Sequence, residues 1–288
     1  MTLSTAGQLI AHAAAAGSAL AAFNVISLDH AEAVAEGAAA ANAPALLQVS
    51  ENAIAFRGSP EPLLAACREL AAASGSPLGI HLDHIEDLEL VARALARAEE
   101  FGVGSIMFDG SKLGYDANVA ATRDVVARAH GAGLWVEAEL GEIGGKDGAH
   151  APGVRTDPQA AAAFVEATGV DGLAVAVGSS HAMVDRSAEL DLELVARLAA
   201  AVPVPLVLHG SSGVPDRTIS AAVGAGIRKV NVGTALNIAY TEALRGALAT
   251  RPDAVDPRRY SAEARAAMAA VVGHFCDVVG PQNPKPGS

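Results

Sequence analysis

The chain has 288 residues, of which 51% are hydrophobic and 3% aromatic, and its formal net charge is −12. This length provides enough apolar material for one large core or two smaller ones. The acidic balance argues against a nucleic-acid partner, which would need a basic face, but a local pocket can still attract a small anion. Two cysteines, Cys67 and Cys276, do not make a disulfide framework, which favours a reducing compartment.

The beginning of the chain lacks the features of a targeting or membrane segment. Met1–Thr5 holds no basic residue, and a glycine and a serine interrupt the alanine-rich run over residues 13–22. That run is too short and too weakly apolar to span a bilayer. We therefore expect a cytoplasmic protein with no membrane partner. Residues 281–288 are rich in Pro and Gly and are expected to form a flexible tail.

In chain order, short apolar runs of strand length alternate with alanine-rich stretches of helical period. The predicted strands are Leu20–Val25, Ala45–Val49, Leu78–Leu82, Ser105–Phe108, Leu134–Glu139, Gly172–Val177, Leu206–His209 and Lys229–Val232. The predicted helices between and after them are Asp29–Ala41, Pro60–Ala73, Asp87–Phe101, Tyr115–Ala132, Asp157–Thr168, Asp191–Ala201, Asp216–Ala225 and Thr234–Ala249.

Eight strand–helix units at this length predict an α/β protein of the (β/α)8 TIM-barrel type. An extra N-terminal helix over Ser4–Ala16 is expected to close the lower end, and a C-terminal helical extension over Ala262–Val279 to follow. A doubly wound open sheet is the alternative, but it would not need eight repeats, and the sequence has no dinucleotide fingerprint. Because no long linker divides the chain, we expect a single domain over residues 1–280.

Unusual polar residues concentrate where the predicted strands end. Asp83 and His84 follow one apolar run, His181 follows another and His209 a third. All strands of a parallel barrel end at one face, so the three imidazoles can meet there. A catalytic zinc needs three such ligands and one open position. We expect a metal at this point, supported by the inward-facing His81; an ordinary buried role is the alternative for each single histidine.

Carboxylates follow the same pattern. Asp83 should point away from His84 unless the strand ends there, which favours proton transfer over metal ligation, with capping of the next helix as the alternative. Asp109 and Glu139 end two further strands, and Glu137 shares the parity of Glu139. Carboxylates inside a barrel are costly without a cation or donors. They are therefore expected to bind a second metal, to orient the histidines or to pair with Lys or Arg.

Two loops have the composition of a phosphate site. Residues 210–213 read Gly-Ser-Ser-Gly, and residues 231–234 read Asn-Val-Gly-Thr. They follow the seventh and eighth strands, where barrels often bind phosphate at a helix N-terminus. Either loop alone is no more than a turn signal. Together they predict a phosphate site beside the metal.

With these motifs on the page, the chain resembles the class II, metal-dependent ketose-bisphosphate aldolases over nearly its whole length. The matching segments, in the order of the family, are Ala22–Val25, His81–His84, Val136–Gly141, Leu208–Gly213 and Asn231–Thr234. The resemblance implies reversible aldol cleavage of a ketose 1,6-bisphosphate (fructose- or tagatose-bisphosphate) to dihydroxyacetone phosphate and an aldehyde such as glyceraldehyde 3-phosphate. It also implies a homodimer or homotetramer.

The resemblance further implies roles for individual residues. His84, His181 and His209 would hold a catalytic Zn²⁺, and Asp83 would be the catalytic acid and base. Asp109 and Glu139 match carboxylates that hold an alternative or second divalent metal in relatives. The substrate-binding positions it implies are Asn24, Ser50, Ala182, Gly210, Ser211, Ser212, Asn231, Gly233 and Thr234. Backbone groups near the phosphate would bind a monovalent cation, Na⁺ or K⁺.

Three positions depart from the family pattern. Ala182 replaces the glycine that usually follows the second zinc histidine, and its methyl group would crowd the phosphate. Asp147 stands where a mobile loop of the family carries the glutamate that moves the C3 proton. Gly233 stands where many fructose-bisphosphate enzymes have Asp, which leaves the preferred ketose open. Ser50, Arg258 and Arg259 are candidates for reading the distal group of the substrate, with a solvated surface turn as the favoured alternative for the two arginines.

Two other functions stay open on the sequence. An aldolase for another phosphorylated keto sugar, such as an inositol-pathway intermediate, would carry the same motifs. A non-catalytic phosphosugar-binding protein that keeps its metal for stability is the second, motivated by Ala182 and Asp147. A Schiff-base aldolase is not expected, because none of the four lysines ends the sixth strand.

Overall fold

The structure, a computed structural model, describes residues 4–140, 155–179 and 185–281. Eight parallel strands form a closed barrel in which each strand pairs with its neighbours in sequence and the first pairs with the eighth. The strands are β1 Leu20–Asn24, β2 Ala45–Ser50, β3 Leu78–Ile85, β4 Val103–Phe108, β5 Trp135–Glu139, β6 Gly172–Ala174, β7 Leu206–Leu208 and β8 Ile227–Val232. The predicted TIM barrel is confirmed.

Helices follow the strands and surround the barrel. They are α1 Ala6–Ala15, α2 Leu28–Ala40, α3 Glu51–Arg57, α4 Glu61–Ala73, α5 Leu88–Ala96, α6 Ala98–Phe101, α7 Tyr115–Gly131, α8 Pro158–Thr168, α9 Leu192–Ala201, α10 Asp216–Ala225, α11 Thr234–Thr250 and α12 Arg258–Val279. Among the residues described, none of these helices is both long and apolar enough to cross a membrane.

Local sequence explains several helix ends. Thr5 and Gln8 form a capping box at α1, and the Asp157 carboxylate accepts hydrogen bonds from the amides of Gln159 and Ala160 at α8. The helix predicted over Asp87–Phe101 is interrupted at Arg97, where φ is −122° and ψ is 12°, and so becomes α5 and α6.

The N-terminal helix covers the lower end of the barrel, as predicted. The apolar face of α1 packs against β1 and β2 side chains that point into the barrel. The residues of this cluster are Ala6, Leu9, Ile10, Ala13, Leu20, Ala22 and Leu46, with Trp135 against them. The apolar bottom of the barrel is therefore sealed, and function is left to the opposite end.

The barrel interior is polar above its apolar bottom. Barrels of this kind are usually filled by branched apolar side chains. Here the buried polar side chains of the strands and strand ends include Gln48, His81, Ser105, Glu137, His209, Lys229 and Asn231. Buried polar groups must find partners. Their hydrogen bonds to one another, described below, support the catalytic face from underneath.

Candidate metal centre and active site

The end of β3 brings two successive side chains to the same place. A regular strand would send Asp83 and His84 to opposite faces. His84 instead has φ +48°, and the pairing of β3 with β4 shifts register between Leu82 and Ile85. A non-glycine residue in this conformation costs about 1–2 kcal/mol, and such strain concentrates at functional sites. The kink lets both side chains face the barrel mouth. Strand parity alone had predicted opposite faces, because it did not include this irregularity within β3.

The imidazole of His84 is oriented by Asp109. Its Nδ1 lies 2.8 Å from Oδ2 of Asp109, whose other oxygen accepts from the amide and hydroxyl of Ser111 at 3.0 and 2.6 Å. Burial raises the pKa of Asp109, but the hydrogen bonds from His84 and Ser111 outweigh it and bring that pKa below its ordinary value. An Nδ1 held by a carboxylate leaves Nε2 as the ring atom that faces a metal.

His84 lies in a strongly negative environment. Burial opposes a charge on this ring, but the carboxylates of Asp83, Asp109 and Glu139 outweigh that penalty and raise the pKa of His84 to about 10. Burial also raises the pKa of Asp83, against the positive charges of His84 and Lys229. A field that favours a proton on the imidazole favours a divalent cation in its place.

His209 is oriented from inside the barrel. Its Nε2 lies 2.9 Å from Oε1 of Glu137, and both side chains are fully buried. The other Glu137 oxygen accepts from Nζ of Lys229 at 2.8 Å and lies 3.9 Å from Nε2 of His81. Glu137 therefore has two of the roles expected for an inward-facing carboxylate. It orients a histidine, and it pairs with a lysine.

The donor set fits a metal ion. Asp83, His84 and His209 each offer a ligand atom within 4.8 Å of the others, and His84 forms a second such group with Asp109 and Glu139. The rings of His84 and His209 have centroids 4.7 Å apart at 77°. Imidazole nitrogen and carboxylate oxygen are the donors that zinc accepts. The carboxylate of Asp83 is therefore close enough to both imidazoles to act as a metal ligand as well as a base. Strand parity had predicted that it would point away from His84.

Several predicted site residues lie outside the described residues. They are the third histidine His181, its neighbour Ala182 and the loop residue Asp147. Their roles stay predictions. Beyond this gap, the guanidinium of Arg186 donates to the carbonyl of Val214 at 2.6 Å and so ties the connection after β6 to the one after β7.

The two phosphate-type loops lie side by side. Gly210 has φ +66° and precedes a 3-10 turn at Ser211–Gly213, a conformation that favours glycine. Ser211 donates to the carbonyl of Asn231, and the hydroxyl of Ser212 accepts from the amide of Ala235 at 3.1 Å. The loops are thus held together at the N-terminus of α11.

This arrangement can attract an anion. Helix α11 has 17 residues and begins at Thr234, with Gly233 before it. Its aligned peptide dipoles put partial positive charge at this end, beside the carboxyl ends of β7 and β8. The N-terminus of α11 and the two loops, joined through Ser211 and Ser212, therefore lie together.

The remaining candidates lie around the barrel mouth or away from it. Oδ1 of Asn24 accepts a hydrogen bond from the side-chain Nε2 of Gln48 at 2.8 Å. A Cβ atom at position 233 would lie 3.3 Å from the side chain of Asn24. The hydroxyl of Ser50 accepts from the amide of Ala53 and caps α3, a helix that the sequence pattern did not predict. Arg258 is highly exposed and pairs with Asp256, as the surface alternative expected.

Sequence reasoning gave Lys229 no functional role. Its side chain is fully buried and donates to Glu137 and to Oδ1 of Asn231, each at 2.8 Å. Ser105, likewise not singled out, lies 2.7 Å from Nδ1 of His81. The signal was available, because Lys229 shares strand parity with Asn231 and therefore had to face the interior.

Comparison with known proteins decides the family. The sequence model of the family Fructose-bisphosphate aldolase class-II matches residues 4–284 of this chain. The chain belongs to this family.

Relatives agree with this assignment. The aldolase is 37% identical to the D-tagatose-1,6-bisphosphate aldolase subunit GatY of Klebsiella oxytoca over 268 residues, which cover 92% of this chain and 93% of that protein. The YdjI aldolase of Escherichia coli K12 superposes with a TM-score of 0.84 at 29% identity, covering 98% of this chain and 99% of that one. Fructose-bisphosphate aldolase of Campylobacter jejuni shares the fold, with a TM-score of 0.82 at 22% identity over 98% and 97%.

Family membership establishes the class of reaction. The aldolase is a carbon–carbon lyase that performs aldol cleavage of ketose bisphosphates, and zinc dependence is a property of the family. The cluster of Asp83, His84 and His209 provides a possible site for that metal.

Proposed function

We propose that the aldolase cleaves fructose or tagatose 1,6-bisphosphate with Asp83 as the base that serves the C4 hydroxyl. The observation that carries this proposal is the convergence of Asp83, His84 and His209 within 4.8 Å at the mouth of the barrel. His84 and His209, together with His181, would hold one Zn²⁺. When bound, the ion supplies Lewis acidity that stabilises negative charge on the reacting substrate.

Asp83 has the environment of a proton carrier. As the C3–C4 bond breaks, its electron pair goes to C3, the C4 hydroxyl becomes an aldehyde, and Asp83 accepts the hydroxyl proton. In condensation the same carboxyl returns the proton. Burial raises the pKa of Asp83 above its ordinary value, which favours the protonated form more than in a solvent-exposed carboxyl. Asp147 is proposed to deliver the proton to C3.

The phosphate of the dihydroxyacetone half is proposed to bind at the paired loops. Gly210, Ser211 and Ser212 would contribute one side and Gly233 and Thr234 the other. The support is the N-terminus of α11 and the Ser212 hydrogen bond that joins the loops. Asn24, Ser50, Ala182 and Asn231 are proposed to contact the rest of the substrate.

Further components complete the proposal. Asp109 and Glu139 would hold a second divalent ion with His84, and the phosphate loops a Na⁺ or K⁺ ion.

We propose one domain over residues 1–280 with a flexible tail, a cytoplasmic location and a homodimer or homotetramer. Light scattering coupled to gel filtration measures the oligomeric state.

A substrate panel tests the proposed activity. Zinc-loaded protein is mixed with fructose 1,6-bisphosphate, tagatose 1,6-bisphosphate and the corresponding 1-phosphates and 6-phosphates, and release of dihydroxyacetone phosphate is followed with a coupled dehydrogenase. We expect turnover of at least one bisphosphate, above that of the monophosphates. Binding without release of a triose phosphate would instead identify a phosphosugar-binding protein. If only another phosphorylated keto sugar were cleaved, that sugar would replace fructose and tagatose 1,6-bisphosphate as the assigned substrate.

A further inference from the structure

The interior lysine Lys229 stands at the centre of a hydrogen-bonded chain beneath the catalytic face. Its side chain is fully buried, and its Nζ donates to Oε2 of Glu137 and to Oδ1 of Asn231, each at 2.8 Å. β8, which carries Lys229, pairs with β7 and β1 rather than with β5, which carries Glu137. The contact with Glu137 therefore crosses the interior of the barrel.

The orientation of the Asn231 amide follows from this contact. An ammonium group donates hydrogen bonds and accepts none, so the amide atom that faces Lys229 must be the oxygen. The amide nitrogen is then turned the other way, and it lies 3.5 Å from Oδ1 of Asp83. A reversed amide would present its oxygen to the carboxylate, and two acceptors would face each other.

We propose that Lys229 is a positioning residue that fixes the side-chain amide of Asn231 with its NH₂ group toward Asp83. The inference rests on the proposed function, because it concerns the base assigned there. Lys229 acts through Asn231 and does not touch the substrate. Its two hydrogen bonds run to Glu137 and Asn231, which fits a supporting role beneath the site.

A double-mutant cycle tests this inference. The variants are Lys229→Met, Asn231→Ala and the two combined, with kcat and KM for the preferred bisphosphate measured at full zinc loading. We expect K229M to lower kcat about 10- to 100-fold, as loss of an outer hydrogen-bond partner commonly does, with a smaller change in KM. In the N231A background the same change should cost less than about 3-fold, since the amide that it orients is already absent.

Controls separate positioning from folding. K229M leaves the Glu137 carboxylate buried without its lysine, which is destabilising. The combined Glu137→Gln, Lys229→Met variant removes both partners of this ion pair, so no charge is stranded, and its kcat is compared with and without Asn231→Ala. Thermal unfolding and zinc content are measured for every variant. Lys112→Met removes an exposed lysine that pairs with Glu86, and it is the matched control, expected to keep wild-type kcat.

The outcome of the double-mutant cycle decides the proposal. Non-additive losses in kcat, with zinc content preserved, support the positioning role. An unchanged kcat in K229M, or losses that multiply in the double variant, overturn it. Absence of turnover in the wild-type protein would instead refute the proposed function, so the two failures are distinguishable.

Discussion

Nε2 of His209 lies 2.9 Å from Oε1 of Glu137, although His209 directly follows β7 and Glu137 lies on β5, and these two strands are not paired with each other. The contact fixes which nitrogen of the ring faces the barrel interior and leaves Nδ1 on the side of the metal cluster. His84 is held in the opposite sense, with Nδ1 on Asp109. Outer partners of this kind set the tautomer and direction of metal-ligating imidazoles.

Removing the Glu137 carboxylate should weaken metal binding. Glu137→Gln keeps the shape of the side chain but removes the charge that supports the His209 ring. We expect zinc affinity to fall about 10- to 100-fold. Competition with a chromophoric chelator measures it. Glu86→Gln, an exposed carboxylate that pairs with Lys112, is the control. An affinity for E137Q equal to that of the wild type would contradict the proposed role of Glu137.

Asp83 should be needed for turnover rather than for zinc retention. Asp83→Ala should keep about one zinc per chain while kcat drops by about 10²- to 10⁴-fold, the usual contribution of a general acid or base. Metal analysis and steady-state kinetics on the same preparation check this. If the variant loses its zinc, Asp83 is a ligand, as its place in the cluster permits. Normal turnover would remove it from the mechanism.

Acidification should destabilise the protein through His30. Burial lowers the pKa of His30 from its ordinary value of 6.5, more than its hydrogen bond with Asn237 raises it. Below pH 6.5 the unfolded chain therefore binds a proton at His30 that the folded protein does not. The free energy of unfolding decreases as the pH is lowered. A single such group contributes at most about 1.4 kcal/mol per pH unit.

The variant His30→Gln isolates this contribution. Urea unfolding between pH 7.5 and pH 5 should show a weaker decline for H30Q than for the wild type. His12→Gln, which removes an exposed histidine on α1, controls for the loss of one imidazole. Identical pH slopes for wild type and H30Q would show that burial does not hold His30 neutral.

Phe164 should matter for stability without contributing to chemistry. It is fully buried on α8, and its ring centroid lies 6.5 Å from that of Tyr115. Phe164→Ala should cost about 3–5 kcal/mol of unfolding free energy, while kcat per folded, zinc-loaded molecule stays unchanged. Phe56→Ala, at a side chain that is 71% exposed, should stay within about 0.5 kcal/mol. A similar effect of the two variants in denaturant titrations would be inconsistent with this core.

The barrel was predictable because its signals are local and repeated. Each predicted strand overlaps an observed one, since apolar runs bounded by turn residues identify buried parallel strands. The boundaries were less accurate. The predicted β6 extended to Val177, whereas the strand ends at Ala174, and the short helix α3 was not predicted. A seven-residue helix gives too few turns for its period to stand out.

The site was predictable at the strand ends and less so beneath them. His84, His209 and Asp83 were identified because polar residues that end apolar runs are unusual. The kink at His84 was not, because a positive φ on a histidine depends on tertiary contacts rather than on local preference. The link between Glu137 and Lys229 spans 92 positions in the sequence, and no periodicity joins residues so far apart.

Metal removal tests the central claim most directly. The account rests on a metal held at residues 84 and 209 as the electrophile, with no covalent adduct to a lysine. Treatment with dipicolinate should abolish cleavage of the bisphosphate, and added Zn²⁺ should restore it, while borohydride in the presence of substrate should leave activity intact. Cleavage that survives complete loss of zinc and is lost to borohydride would contradict the account.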